Sequence, residues 1–179
     1  MSGALGRPIR QELLSWEDVD KLVDVLLPQL RSAGPFDAMV MITRGGIIPG
    51  GLLSEAMDIR YILTAAVHFP SGKTAAIGKP AALVSMPKFL QFPEDSLLAG
   101  RRTLIVDDVW AGGRTSSAVR SRVEAAGSEA LNCVFHFNPY RSLFAKAKPD
   151  FYGATTDAYI VYPWEIDRGL HSITMYREI

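Results

Sequence analysis

The stretch RTLIVDDVWAGGRTSSAV, residues 101–118, constrains this chain more than any other. An apolar run, Thr103 to Val106, enters two adjacent acids, Asp107 and Asp108. A small-residue turn, Ala111-Gly112-Gly113, follows, and then Arg114, Thr115 and two serines. This reads as a buried strand over 103–107, a turn, and a helix over 115–126. In an open α/β sheet, ligands bind beyond the carboxyl ends of the strands, which is where the two acids fall. The turn exposes main-chain N–H groups at a helix N-terminus, a site for an anion and for phosphate above all. Thr115 and Ser116 can add hydroxyl donors. One short loop thus offers acceptors for hydroxyls or a divalent cation beside donors for a phosphate, which suits a phosphorylated sugar.

The stretch TRGGIIPGGLL, residues 43–53, repeats the design of strand, Gly-Gly turn and helix. A second anion cradle in one small domain points to a ligand with two phosphate groups, or to a nucleotide diphosphate. Gly45 to Gly50 nearly matches a Walker loop, but Leu52 and Leu53 stand where Lys and Ser or Thr are required, which argues against an ATPase. No strand-associated G-x-G-x-x-G is present, which weakens a dinucleotide reading.

Around these motifs the chain alternates strands and helices. Residues 1–14 read as an N-terminal arm and 15–179 as a single domain. Ser15 and Asp18 form a capping pair for a helix carrying Val19, Leu22, Val23, Leu26, Leu27 and Leu30 to about Arg31. Strands are expected at 36–42, 59–67, 130–137 and 158–161, with a helix from Ile47 to Met57. Gly127 sits where a glycine closes a helix. Residues 68–100 carry four of the eleven prolines and read mostly as a long flexible lid loop, with some strand in 81–86. The pattern implies an α/β fold with a mostly parallel twisted sheet flanked by helices.

Composition excludes several classes. Nineteen basic residues balance nineteen acidic ones, so there is no general nucleic-acid or anionic-membrane footprint. The single Cys133 allows no intrachain disulfide and suits a reducing compartment. No stretch approaches the roughly 20 apolar residues of a membrane span, and the N-terminus has no signal-peptide core. The expected location is the cytoplasm. His136 reads as a satisfied buried histidine and Cys133 as a buried small hydrophobe. His68 and His171 are isolated, and Trp110 packs the turn or faces a partner subunit. Arg101 and Arg102 read as a solvated loop.

The segment LIVDDVWAGGRTSSAV resembles the phosphoribosyl-diphosphate (PRPP) motif of type I phosphoribosyltransferases. MITRGGIIPGGLLSEAMDIR resembles the pyrophosphate loop and following helix of that family. DAYIVYPWE, residues 157–165, is similar to the segment closing the base-binding hood in bacterial xanthine-guanine and hypoxanthine phosphoribosyltransferases. The resemblance spans about Ser15 to Glu165. It implies a small C-terminal hood at about 138–179, and a lid whose Lys73, Lys79 and Lys88 are candidates to touch pyrophosphate.

The resemblance also assigns roles by position. Asp107 and Asp108 would hold the ribose hydroxyls, directly or through Mg²⁺. Ala111, Gly112, Gly113, Arg114 and Thr115 would cradle the 5′-phosphate. Thr43, Arg44, Gly45 and Gly46 would form the pyrophosphate loop, where the family often has a non-proline cis peptide, and Arg44 would meet the leaving group. Tyr159 would stack on the base, the Ile160 carbonyl would read its edge, and Trp164 would pack the hood. Two positions depart from the 6-oxopurine pattern: Ala111 replaces an aspartate, and Asn138 replaces a lysine that meets the 6-oxo group. Asn138 keeps one neutral donor. The implied activity is transfer of 5-phosphoribosyl from PRPP to a nucleobase, a 6-oxopurine such as hypoxanthine, xanthine or guanine, as in purine salvage. The implied assembly is a homodimer or homotetramer without nucleic-acid or membrane partners. The alternatives are a non-catalytic PRPP or nucleotide sensor, and a transferase with another acceptor base.

Overall fold

A computed structural model describes residues 10–70, 86–143 and 147–166. Helix α1 (Trp16–Ala33) follows strand β1 (Gln11–Leu13) and starts at the expected capping box. Ser15 Oγ accepts from the Asp18 amide at 3.2 Å, and an Asp18 carboxylate oxygen accepts from the Ser15 amide at 3.0 Å. Both orphan donors are satisfied reciprocally. The helix buries Val19, Leu22, Leu26 and Leu30, one stripe at helical spacing. It continues through Pro28 to Ala33, slightly beyond the apolar pattern.

Strands β2 (Ala38–Ile42), β3 (Ile62–His68), β4 (Lys88–Gln91), β5 (Arg102–Trp110), β6 (Glu129–Phe137) and β7 (Phe151–Thr155) form a sheet in the order β4-β3-β2-β5-β6-β7. Every pairing is parallel except β3 with β4. All five residues of β2 are buried, as a central parallel strand covered on both faces requires. The period of two divides the core. Met39, Met41, Leu104 and Val106 pack toward α1 and α2 (Ile47–Met57), while Val40, Ile42 and Ile105 pack with Val119 and Val123 of α3 (Arg114–Ala125). Gly127 closes α3 at φ +83°.

Four sequence expectations are corrected. The supposed arm contains β1, which pairs in parallel with β8 (Tyr159–Val161) rather than leaving the C-terminal strand in the main sheet. The C-terminal region expected as hood contributes β7, which extends the main sheet beside β6. Within the expected lid, Lys88 opens edge strand β4, which pairs with β3, and Asp95–Leu97 form a 3-10 turn. Residues 71–85, including Lys73, Lys79 and most of the 81–86 strand expectation, lie outside the described residues. Arg102 is no loop residue: it starts β5, its amide donates to Asp37, and its guanidinium reaches Glu129 and the Ala33 carbonyl.

The order of the strands positions the site. From β2 the chain moves outward to β3 and then returns to the other side of β2 for β5. The crevice at the carboxyl ends of β2 and β5 is therefore the topological switch point. No helix among the described residues is long and apolar enough to cross a membrane.

Candidate active site

β5 outruns β2. Their pairing stops at Met41 and Val106, yet β5 continues beside β6 to Trp110. Asp107 and Asp108 thus lie within the strand rather than at its end, as the sequence had implied, in the part that projects past β2 next to the loop 43–46. The loop is close. A side-chain carbon on Gly45 would lie 2.5 Å from Asp108 Oδ1. The two motifs read separately from sequence therefore share one cleft of about 550 Å³, lined by Thr43, Arg44, Gly45, Asp107, Asp108 and Thr115. The Thr43–Arg44 peptide is cis, as the resemblance implied.

Burial dominates the acids. It pushes the Asp107 carboxyl well above the usual carboxylate range, and the neighbouring Asp108 charge pushes it further. Asp108 is raised by burial too, against the amides that favour its ionised form. Asp107 Oδ1 accepts from the Asp108 amide at 3.0 Å, and Asp108 Oδ1 accepts from the Val109 amide at 2.6 Å. Among the described residues neither acid forms an ion pair. An acid pair that forms no ion pair among the described residues is suited to a ligand that brings hydroxyls or a divalent cation.

The helices opening on the cleft differ from α1. Neither α2, entered at Gly46, nor α3, entered at Gly113, has a side-chain cap or an acid in its first turn. Both present positive dipole ends to an anion. To this α3 adds the amides of Thr115 and Ser116, whereas in α2 the Gly46 and Ile47 amides donate to the Ile42 and Arg44 carbonyls and Pro49 has no N–H, which leaves the Ile48 amide. Gly113 takes φ +76°, and a side-chain carbon there would lie 2.5 Å from the Trp110 indole. Trp110 is 2% exposed and so packs beneath the phosphate-type turn, the first of its two expected roles. Gly113→Ala is expected to cost about 1–3 kcal/mol in chemical denaturation, because backbone strain and overlap with Trp110 act together. Gly112 is tied from outside by the Leu143 amide at 3.1 Å, and Arg114 lies over the Phe69 ring at 4.1 Å.

The hood side departs in detail from expectation. Tyr159 is 46% exposed on β8, and Ile160 is buried; neither is among the residues lining the cleft. Trp164, expected as a packing residue, lines the cleft together with Glu165, to which the sequence alone assigns no role. Trp164 also packs, stacked on Tyr162 with centroids 4.4 Å apart and planes at 5°. Asn138 is buried, and its carboxamide oxygen accepts from the amides of Tyr140 and Arg141. It is not among the residues lining the cleft. Its own backbone N–H donates to Trp110 O at 2.9 Å, which ties it to the phosphate turn. His136 is satisfied by Tyr162, and Cys133 is fully buried, as expected.

No family model matches the chain. It is 28% identical over 170 residues to a xanthine-guanine phosphoribosyltransferase from Roseobacter denitrificans, covering 92% of this chain and 89% of that protein. It is 29% identical over 170 residues to a xanthine-guanine phosphoribosyltransferase from a Ruegeria species, with the same coverage of 92% and 89%. The crystal structure of a purine phosphoribosyltransferase from Pyrococcus horikoshii is similar with a TM-score of 0.71 at 28% identity, covering 86% of this chain and 93% of that one. The chain has the type I phosphoribosyltransferase fold, and along nearly its whole length it resembles the bacterial xanthine-guanine phosphoribosyltransferases.

Proposed function

We propose that the chain transfers 5-phosphoribosyl from PRPP to a 6-oxopurine, giving a nucleoside monophosphate and pyrophosphate. One observation carries the reading: a half-buried acid pair, with no ion pair among the described residues, meets two helix N-termini without side-chain caps in one cleft at the switch between β2 and β5. A sugar bearing phosphates at two positions has the matching shape and charge. The α3 N-terminus and Thr115 hold the 5′-phosphate; Asp107 and Asp108 hold the ribose hydroxyls. Thr43 to Gly46 hold the pyrophosphate.

As the C1–O bond breaks, negative charge grows on the pyrophosphate. Arg44 and the Ile48 amide at the start of α2 stabilise it where it develops. The acid pair fits Mg²⁺, a hard cation commonly held by one or two carboxylates together with substrate oxygens. Bound there, Mg²⁺ supplies further positive charge to the leaving group. Asn138 donates to the 6-oxo group, Tyr159 stacks on the base and the Ile160 carbonyl accepts from its edge. Ala111 supplies no proton acceptor, so catalysis rests on charge stabilisation and positioning. The acting form is a homodimer or homotetramer.

Incubation with PRPP, Mg²⁺ and a panel of nucleobases, followed by pyrophosphate release, tests the reading. Release with hypoxanthine, xanthine or guanine is expected. Release only with another base would move the acceptor. Binding of PRPP with no release for any base would make the chain a sensor.

A further inference from the structure

Tyr162 sits between β8 and α4 (Pro163–Ile166), 1% exposed, and every part of it is held. Its amide donates to Glu165 Oε2 at 2.9 Å, and its ring stacks on Trp164. Its hydroxyl donates to the Asp108 carbonyl at 3.0 Å and lies 2.8 Å from His136 Nδ1. Trp164, Glu165 and Asp108 all line the cleft. One buried residue therefore ties the β5 part of the cleft lining to the part that follows β8.

The proton count fixes the direction of this network. A carbonyl oxygen only accepts, so the single hydroxyl proton of Tyr162 goes to Asp108. His136 Nδ1 must then carry a proton and donate to the Tyr162 oxygen. Burial holds the imidazole neutral near physiological pH by pushing it down to about 4. Nδ1 therefore bears the one ring proton. Two buried polar side chains are costly unless satisfied, and here they satisfy each other and a main-chain carbonyl.

We propose that Tyr162, oriented by His136, is a positioning residue that fixes the Asp108 peptide relative to the Trp164–Glu165 wall, and so sets the grip of the acid pair on the ribose of PRPP. The proposal rests on the phosphoribosyl-transfer reading. Tyr162→Phe removes the bond to Asp108 but keeps the stack on Trp164. It is expected to raise the dissociation constant and KM for Mg²⁺-PRPP roughly five- to tenfold, the worth of one buried hydrogen bond, while the KM for the base moves less than about twofold. His136→Leu should reproduce this split. His136→Asn, whose amide can donate from the position of Nδ1, should restore values near wild type.

Circular dichroism and melting of each variant separate loss of fold from loss of grip. Long-range ¹H–¹⁵N NMR of the wild-type chain should find His136 as the Nδ1–H tautomer. An Nε2–H tautomer would overturn the proposal without any reference to activity. So would equal PRPP dissociation constants for folded wild type and Tyr162→Phe, or equal losses of PRPP and base affinity. If wild type binds PRPP but releases no pyrophosphate with any base, the transferase reading fails, while the PRPP constants still decide the role of Tyr162. If wild type binds no PRPP, both fail.

Discussion

Replacing Asp107 and Asp108 together by asparagine is expected to lower the rate of pyrophosphate release at least about a hundredfold, as for loss of a principal electrostatic group in an active site. The fold should survive. The carboxylate oxygens accept from the amides of Asp108 and Val109, and an asparagine oxygen can accept the same bonds. The effect on stability has the opposite sign to the effect on function. Both acids have folded-state pKa values raised above the unfolded value, first of all by burial. For such a group the stabilising contribution belongs to the protonated form. It is fully present below the unfolded pKa, at about 4, and is lost as pH rises through the folded one. Near neutrality the unliganded wild type therefore carries a penalty that neutral asparagines remove. The double variant should melt no lower than wild type at pH 7. Mg²⁺-PRPP should raise the melting temperature of wild type by mass action and leave that of the variant unmoved. Retained activity in the variant would defeat the assignment of the sugar site to these acids.

Local chemistry was legible in the sequence, and pairing across the sheet was not. The capping box at Ser15, the span of α2 and the closing glycine of α3 each depend on neighbours within a few residues, and each is found where the letters put it. The two Gly-Gly turns were legible for the same reason. That they converge depends on the crossover placing β5 beside β2, which an α/β pattern suggests but no single segment specifies. β1, β4 and β7 are short and carry no strong alternation; β1 exists because β8 pairs with it, and β7 because β6 exposes an edge. Asp107 and Asp108 seemed to end a strand because charge usually does. In the fold, β6 keeps supplying partners to β5 after β2 has stopped. Trp164 and Glu165 needed the hood to be placed before they could be seen in the cleft. The role of Tyr162 required both a distant histidine and a distant carbonyl.

The second large effect concerns a single methyl group. Gly46→Ala is expected to destabilise the chain by about 3 kcal/mol or more in urea denaturation, at the upper end for overpacking. A side-chain carbon there would lie 2.1 Å from the Val106 carbonyl oxygen, 2.9 Å from that of Ile42 and 3.0 Å from the Ile42 amide nitrogen. All three are main-chain atoms of β2 and β5, the adjacent strands at the switch point, and none can swing aside as a side chain would. Relief would require the loop 43–46 to lift, which would also move the mouth of the site away from Asp108. Gly51, five residues on and inside α2, gives the control. Nothing lies within 4 Å of a carbon added there, and the backbone is helical. Gly51→Ala should therefore stabilise by about 0.5–1 kcal/mol, since alanine gives up less freedom than glycine on entering a helix. The same substitution would thus have opposite signs at two positions in one segment. If Gly46→Ala proved as stable as Gly51→Ala, the close approach of the loop to β5 would be wrong, and with it the shared cleft on which the proposed chemistry depends.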